Sequence, residues 1–202
     1  MALRNLPITK AEGADLLVLA IPRGGVVVGA EVARLLGSPL DVWLARKLGA
    51  PGNPELAIGS VSSHGELFFD FAVIEALGVS VEFIQEAVRR ERAELDRRML
   101  EFRGNAEPVR VEGRTVVLVD DGVATGSTAL ASLTALGRGG AARRILAVPV
   151  APLDKMGQLE AAAEEVVVLN PADDFYAVGQ YYEHFETVAD AEVIRLLSEF
   201  SR

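Results

Sequence analysis

The stretch VVLVDDGVATGST, from Val116 to Thr128, decides the fold. Four consecutive apolar residues read as a strand buried on both faces. Two adjacent carboxylates close it, a turn of small residues follows, and hydroxyl side chains stand where a helix would begin. Gly122 and Gly126 let the backbone turn tightly, so that successive N–H groups and the positive end of the helix can surround a phosphate, with Thr125, Ser127 and Thr128 adding hydroxyl donors. Asp120 and Asp121 cannot bind that phosphate and suit neutral hydroxyls or a metal. The motif therefore reads as a site for a sugar carrying a phosphate on one side and diol oxygens on the other. It is neither a Walker A loop, since no Lys follows the second Gly, nor a dinucleotide fingerprint, since GxGxxG is absent. The plain alternative is a helix start capped by Ser/Thr beside two solvated Asp. Against it, paired Asp at the end of an all-apolar strand are costly unless used.

Outward from this stretch, apolar runs alternate with helical patterns. Leu16–Ile21 reads as a strand closed by Pro22-Arg23-Gly24-Gly25, Val26–Leu36 as a helix ending at Gly37, and Leu40–Ala45 as the next strand. Arg46–Pro54 carries Gly49, Pro51, Gly52, Asn53 and Pro54, and this density of breakers predicts a mobile surface loop. Leu56–Ser62 and Leu67–Phe71, separated by Ser63-His64-Gly65, pattern as a hairpin. Apolar positions recur at helical spacing over Val81–Arg103, among six acidic and six basic residues, with Glu86–Arg90 and Glu94–Arg98 at i,i+4. Beyond the central motif, Ser127–Leu136 and Leu153–Glu164 read as helices, and Arg144–Val150 and Glu165–Leu169 as strands. Such alternation predicts an α/β fold with a mostly parallel twisted sheet flanked by helices, with ligands beyond the carboxyl ends of the strands. We expect a core over residues 1–170, including the helical insertion 81–103, and a small C-terminal cap over residues 171–202, where Phe175, Tyr176, Tyr181 and Tyr182 cluster.

The chain has 202 residues, 20 Lys+Arg against 29 Asp+Glu, a net charge of −9 and no Cys. Absence of Cys excludes disulfides, Cys-ligated metals and thiol nucleophiles, and two histidines, His64 and His184, exclude a multi-His metal site. The acidic balance argues against a nucleic-acid partner, whose phosphates require a basic footprint. No apolar run approaches the roughly 18–20 residues of a membrane span, and the N-terminus lacks a signal-peptide pattern. A cytoplasmic protein with no membrane partner is expected. An anion would have to be bound by local donors, a few Arg/Lys, or a divalent metal.

Val116–Thr128 resembles the 13-residue phosphoribosyl pyrophosphate signature of the type I phosphoribosyltransferases: four apolar residues, Asp-Asp/Glu, a spacer, Thr-Gly and Ser/Thr. The resemblance extends over about Leu16–Leu169 and implies that family's α/β core with a C-terminal hood. It implies that Asp120 and Asp121 hold the ribose 2′- and 3′-hydroxyls, directly or through Mg²⁺, while Val123, Ala124, Thr125, Gly126, Ser127 and Thr128 hold the 5′-phosphate. Arg23-Gly24-Gly25 is similar to the family's pyrophosphate loop, with Pro22–Arg23 a candidate for the non-proline cis peptide found there in relatives. Arg46-Lys47, leading through Gly49 and Pro51, resembles the opening of the flexible loop of adenine-type members; it implies that Arg46 and Lys47 meet pyrophosphate oxygens during catalysis. Tyr176-Ala177-Val178-Gly179 is similar to the stretch with which hypoxanthine–guanine-type members stack a purine, making Phe175 and Tyr176 base-binding candidates, with packing of the cap as the alternative.

The implied reaction is Mg²⁺-dependent transfer of the 5-phosphoribosyl group from phosphoribosyl pyrophosphate to a small nitrogenous base, chemistry of the nucleotide-salvage type. Two other readings stay open: a non-catalytic sensor of phosphoribosyl pyrophosphate or a nucleotide on the same fold, and a sugar-phosphate hydrolase, for which no activating base is evident. The Val81–Arg103 helix departs from the family's better-known branches, and an extra lid, part of a homodimer face, or a cover for the sheet are its candidate roles.

Overall fold

The computed structural model describes residues 15–104 and 109–200. Five parallel strands form the main sheet: β1 (Leu16–Ala20), β2 (Leu40–Val42), β6 (Thr115–Val119), β7 (Arg143–Pro152) and β8 (Glu165–Ala172), in the order β2-β1-β6-β7-β8. All five β1 residues are buried, as are Val116–Val119 of β6. Successive side chains point to opposite faces. Leu16, Val18, Ala20, Val117 and Val119 pack beneath α1 (Gly24–Leu36) and α6 (Asp190–Ser198). Leu17, Leu19, Val116 and Leu118 pack on the other face, beneath α4 (Ser127–Arg138) and α5 (Met156–Ala162). Burial on both faces is what makes the apolar runs continuous rather than alternating.

The chain leaves β1 toward β2 on one side and later returns to β6 on the other side of β1, so the connections diverge between β1 and β6. At such a switch point in an open parallel sheet, the loops leaving the strands enclose a crevice. In the register of this pair Ala20 lies opposite Val119, and Ile21 N–H donates to Val119 O at 2.9 Å. Arg23-Gly24-Gly25 and Asp120-Asp121 therefore emerge side by side.

The segment 46–54, expected as a mobile loop, is instead half of a hairpin. β3 (Ala45–Ala50) and β4 (Asn53–Ser62) pair antiparallel, and β5 (Leu67–Phe69) extends them into a three-stranded sheet. The breakers are absorbed locally: Pro51 and Gly52 make the turn, and the register shifts on either side of Gly49. Leu48 and Ala50 are buried while Arg46 and Lys47 are exposed.

α2 (Phe71–Leu77) and α3 (Val81–Arg103) cover this small sheet, with Ala87 and Leu95 of α3 buried against Leu48, Ile58 and Val61. Ser80 starts α3 by accepting from Phe83 N–H at 3.2 Å. Near its other end Arg103 grips Asp41 of β2 through two hydrogen bonds, one from Nε to Oδ1 at 2.5 Å, joining the small sheet's cover to the main sheet. Helix 81–103 thus has the bounds its periodicity predicts. Val193, Leu196 and Leu197 of α6 join the main core. Among the described residues no helix is long and apolar enough to cross a membrane.

Candidate functional site

β6 ends in Asp120 and Asp121. Asp121 backbone N–H donates to Asp120 Oδ1 at 2.9 Å, which fixes the Asp120 carboxylate against the start of the loop. Burial, then the neighbouring Asp121 charge, push Asp120 up to about 8. Burial also raises Asp121. Two partly buried carboxylates on adjacent residues repel, and each resists ionisation until something positive or hydrogen-bonding arrives.

The loop after β1 lies directly against this pair. A Cβ on Gly24 would stand 1.8 Å from Asp121 Oδ2, and one on Gly25 would stand 2.9 Å from Asp120 Cα. Only residues without a side chain allow this approach. The Pro22–Arg23 peptide is cis, as the resemblance implies, and Arg23 pairs loosely with Asp190 at 3.6 Å.

On the other side the chain runs through Gly122 and Val123, whose N–H donates to Val150 O at 2.9 Å, into α4. Gly126 has φ +84, and no side chain caps the helix there. Thr125 Oγ1 lies 3.2 Å from Ser127 Oγ and 3.4 Å from Ser127 N. Thr125, Ser127 and Thr128 are exposed, and no acidic residue occupies the first turn. Open amides, hydroxyls and a positive helix end make an anion-ready surface.

Two clefts open beside these segments, and only the second is lined by a member of the Asp pair, Asp121. The first, about 620 Å³, is lined by Thr125, Ser127 and Thr128 on one side and by Arg46, Lys47, Arg90 and Glu91 on the other. The second, about 430 Å³, is lined by Arg23, Gly24, Asp121, Tyr182, His184 and Phe185 among others. Arg46 and Lys47 thus share a cleft with the α4 turn and not with Arg23-Gly24-Gly25. Phe175 stacks on Tyr181 with centroids 5.9 Å apart, and Tyr176 is 91% exposed; neither lines these clefts.

The aromatics beside Asp121 are Tyr182 and Phe185 instead. Tyr182 Oη donates to Asp121 O at 2.6 Å, and burial and then the Asp121 and Asp120 charges push its phenol up to about 12, so it stays a donor. Composition flags the aromatic cluster, but only the tertiary contact separates its two halves. His64 packs on Trp43 with ring centroids 4.7 Å apart and is pushed down to about 4, chiefly by burial. It is a packing histidine.

Asp120 and Asp121 offer the hard oxygens Mg²⁺ prefers, and a cation would relieve their repulsion. Mg²⁺ typically takes one or two carboxylates and completes its shell with water and substrate oxygens. Among the described residues no group of three or more His, Asp or Glu could hold a metal. The pair fits an ion that arrives with its substrate.

Comparison with known proteins gives the family. Two Mycobacterium tuberculosis proteins, from strains CDC 1551 and H37Rv and each named "Putative phosphoribosyl transferase", are 38% identical over 195 residues, covering 96% of this chain and 44% of theirs. The chain therefore spans less than half the length of these curated relatives. The crystal structure of TT1426 from Thermus thermophilus is 44% identical, with a TM-score of 0.83, over 93% of this chain and 89% of that one. The sequence model of the family described as "Phosphoribosyl transferase domain" matches residues 7–186. With that match across most of its length, the chain, built on a helix-flanked parallel sheet, belongs to the phosphoribosyl transferase domain family.

Proposed function

We propose that the chain is a Mg²⁺-dependent phosphoribosyltransferase that moves the 5-phosphoribosyl group of phosphoribosyl pyrophosphate onto a nitrogenous base and releases pyrophosphate. One observation carries the reading: an ionisation-resistant Asp pair stands between an anion-ready helix turn and a glycine loop that only Gly can bring so close.

Thr125, Ser127, Thr128 and the Val123–Gly126 backbone hold the 5′-phosphate. Asp120 and Asp121 accept from the ribose 2′- and 3′-hydroxyls, and their charge favours the positive character that develops at C1 as the bond to pyrophosphate lengthens. Arg23 and the Gly24 and Gly25 amides take up the charge growing on the leaving group. Asp120 and Asp121 would hold Mg²⁺, which would supply positive charge for the donor's oxygens. A nitrogen lone pair forms the new bond to C1, the electrons of the old C1–O bond leave with pyrophosphate, and a proton carried by the acceptor nitrogen is released to the departing pyrophosphate or to water. The cleft of Arg23, Gly24, Asp121, Tyr182 and Phe185 supports an acceptor lying beside Asp121. Cytoplasmic salvage of a free base is the setting in which such an activity serves.

The test is pyrophosphate release from phosphoribosyl pyrophosphate and Mg²⁺ with a panel of purine, pyrimidine and other nitrogen acceptors. Acceptor-dependent release supports the reading. Binding of the donor without release for any acceptor would favour the sensor instead.

A further inference from the structure

α3 crosses the small sheet and reaches the first cleft with Arg90 and Glu91. Glu91 is only 9% exposed, unusual for a carboxylate. Its two oxygens are held separately: Oε2 accepts from Arg46 Nε of β3 at 2.9 Å, and Oε1 accepts from Arg90 Nε at 3.1 Å. Adjacent residues on a helix do not face each other, so Arg90 must swing along the helix surface to make this contact. Helical spacing predicts Glu86 as its partner, but Glu86 pairs with Arg89. Arg90 is thereby turned into the cleft, with its side chain 63% exposed.

Among the charged residues lining this cleft, three cations, Arg46, Lys47 and Arg90, stand with one anion, Glu91. In a chain of net charge −9 that concentration is local and opposite to the whole. It faces Thr125, Ser127 and Thr128, where the phosphate of a sugar phosphate would sit. A guanidinium carries five N–H donors, so engagement of Arg46 and Arg90 at Nε is compatible with an anion at their terminal nitrogens.

We propose that α3 forms a wall of the sugar-phosphate cleft, with Arg90 as an additional phosphate-binding residue and Glu91 as a positioning residue that sets Arg46. This rests on the transferase reading above and deepens it, because it assigns these cations to the 5′-phosphate end of the donor rather than to the pyrophosphate end.

Calorimetric titration of the full chain with ribose 5-phosphate, and separately with pyrophosphate and with phosphoribosyl pyrophosphate, tests it in wild type, Arg90→Gln, Arg90→Lys and Glu91→Gln. Loss of one charge-assisted contact should weaken ribose 5-phosphate about tenfold in Arg90→Gln. Arg90→Lys should recover most of that affinity, and pyrophosphate should bind Arg90→Gln as it binds wild type. Glu91→Gln separates positioning from simple charge. Removing a negative group would by itself tighten any anion, whereas loss of Arg46 positioning weakens ribose 5-phosphate. Unchanged ribose 5-phosphate affinity in Arg90→Gln, an equal loss for both ligands, or tighter binding in Glu91→Gln would overturn the inference while leaving the transferase reading intact. Wild type that binds neither ribose 5-phosphate nor phosphoribosyl pyrophosphate would overturn both.

Discussion

Gly24 and Asp121 approach so closely that a single methyl group on Gly24 would stand 1.8 Å from the Asp121 carboxylate. Two loops from neighbouring parallel strands are thus fitted against each other, and the position of one carboxylate depends on the absence of a side chain in the other loop. Gly24→Ala must push Asp121 aside. Misplacement of a catalytic group by about 1 Å costs on the order of a hundredfold in rate. We expect that loss in turnover with a melting temperature near that of wild type, measured by pyrophosphate release and thermal unfolding.

The Asp pair should also make stability depend on pH. Asp120 titrates from an ordinary value of 3.8 but is pushed up to about 8 in the fold, so between these values the folded state keeps a proton that the unfolded chain releases. Stability therefore falls as pH rises through that window. Asp121, also raised, acts in the same direction. Asp120→Asn should melt above wild type at pH 8, with the difference shrinking toward pH 4; parallel melting curves across the window would contradict the assignment.

Tyr182 reaches the same loop from the C-terminal segment, through its hydroxyl to Asp121 O. Tyr182→Phe removes one hydrogen bond, worth about 0.5–1.5 kcal/mol net. A modest drop in denaturant midpoint is expected, together with weaker donor binding because Asp121 loses its brace. Fluorescence-monitored urea unfolding and calorimetry measure the two effects separately.

Away from the site, Asp41 and Arg103 form an ion pair with side chains only 7% and 6% exposed. Burial raises Asp41 even beside the guanidinium, which acts the other way. Arg103→Ala strands a buried carboxylate and should cost about 3–5 kcal/mol. Replacing both residues with apolar side chains of similar volume should cost less than the single change, a comparison that a double-mutant cycle in urea makes directly.

Much of this architecture is legible in the sequence because it is local. Val116–Thr128 contains four of the five residues of β6, the turn and the start of α4, and the helix 81–103 carries its own periodicity. The hairpin 45–62 is harder to read because Gly49, Pro51 and Gly52 look like loop residues one by one, while pairing places them at a register shift and a turn. The site is legible where one segment supplies it. Glu91 and Arg90 read as a solvated helix face, since nothing in α3 alone says that β3 and the α4 turn lie opposite. The choice of Tyr182 and Phe185 over Phe175 and Tyr176 beside Asp121 likewise depends on how the chain returns after β8.

Everything proposed for the site depends on Asp120 and Asp121 holding a phosphoribosyl donor together with Mg²⁺. Calorimetric titration of phosphoribosyl pyrophosphate, with and without Mg²⁺, into wild type and the Asp120→Asn/Asp121→Asn double variant examines that dependence without any knowledge of the acceptor. Mg²⁺-dependent binding to wild type, lost in a folded double variant, is the expected result. Equal binding by both proteins, or no binding to wild type with the metal present, would contradict it.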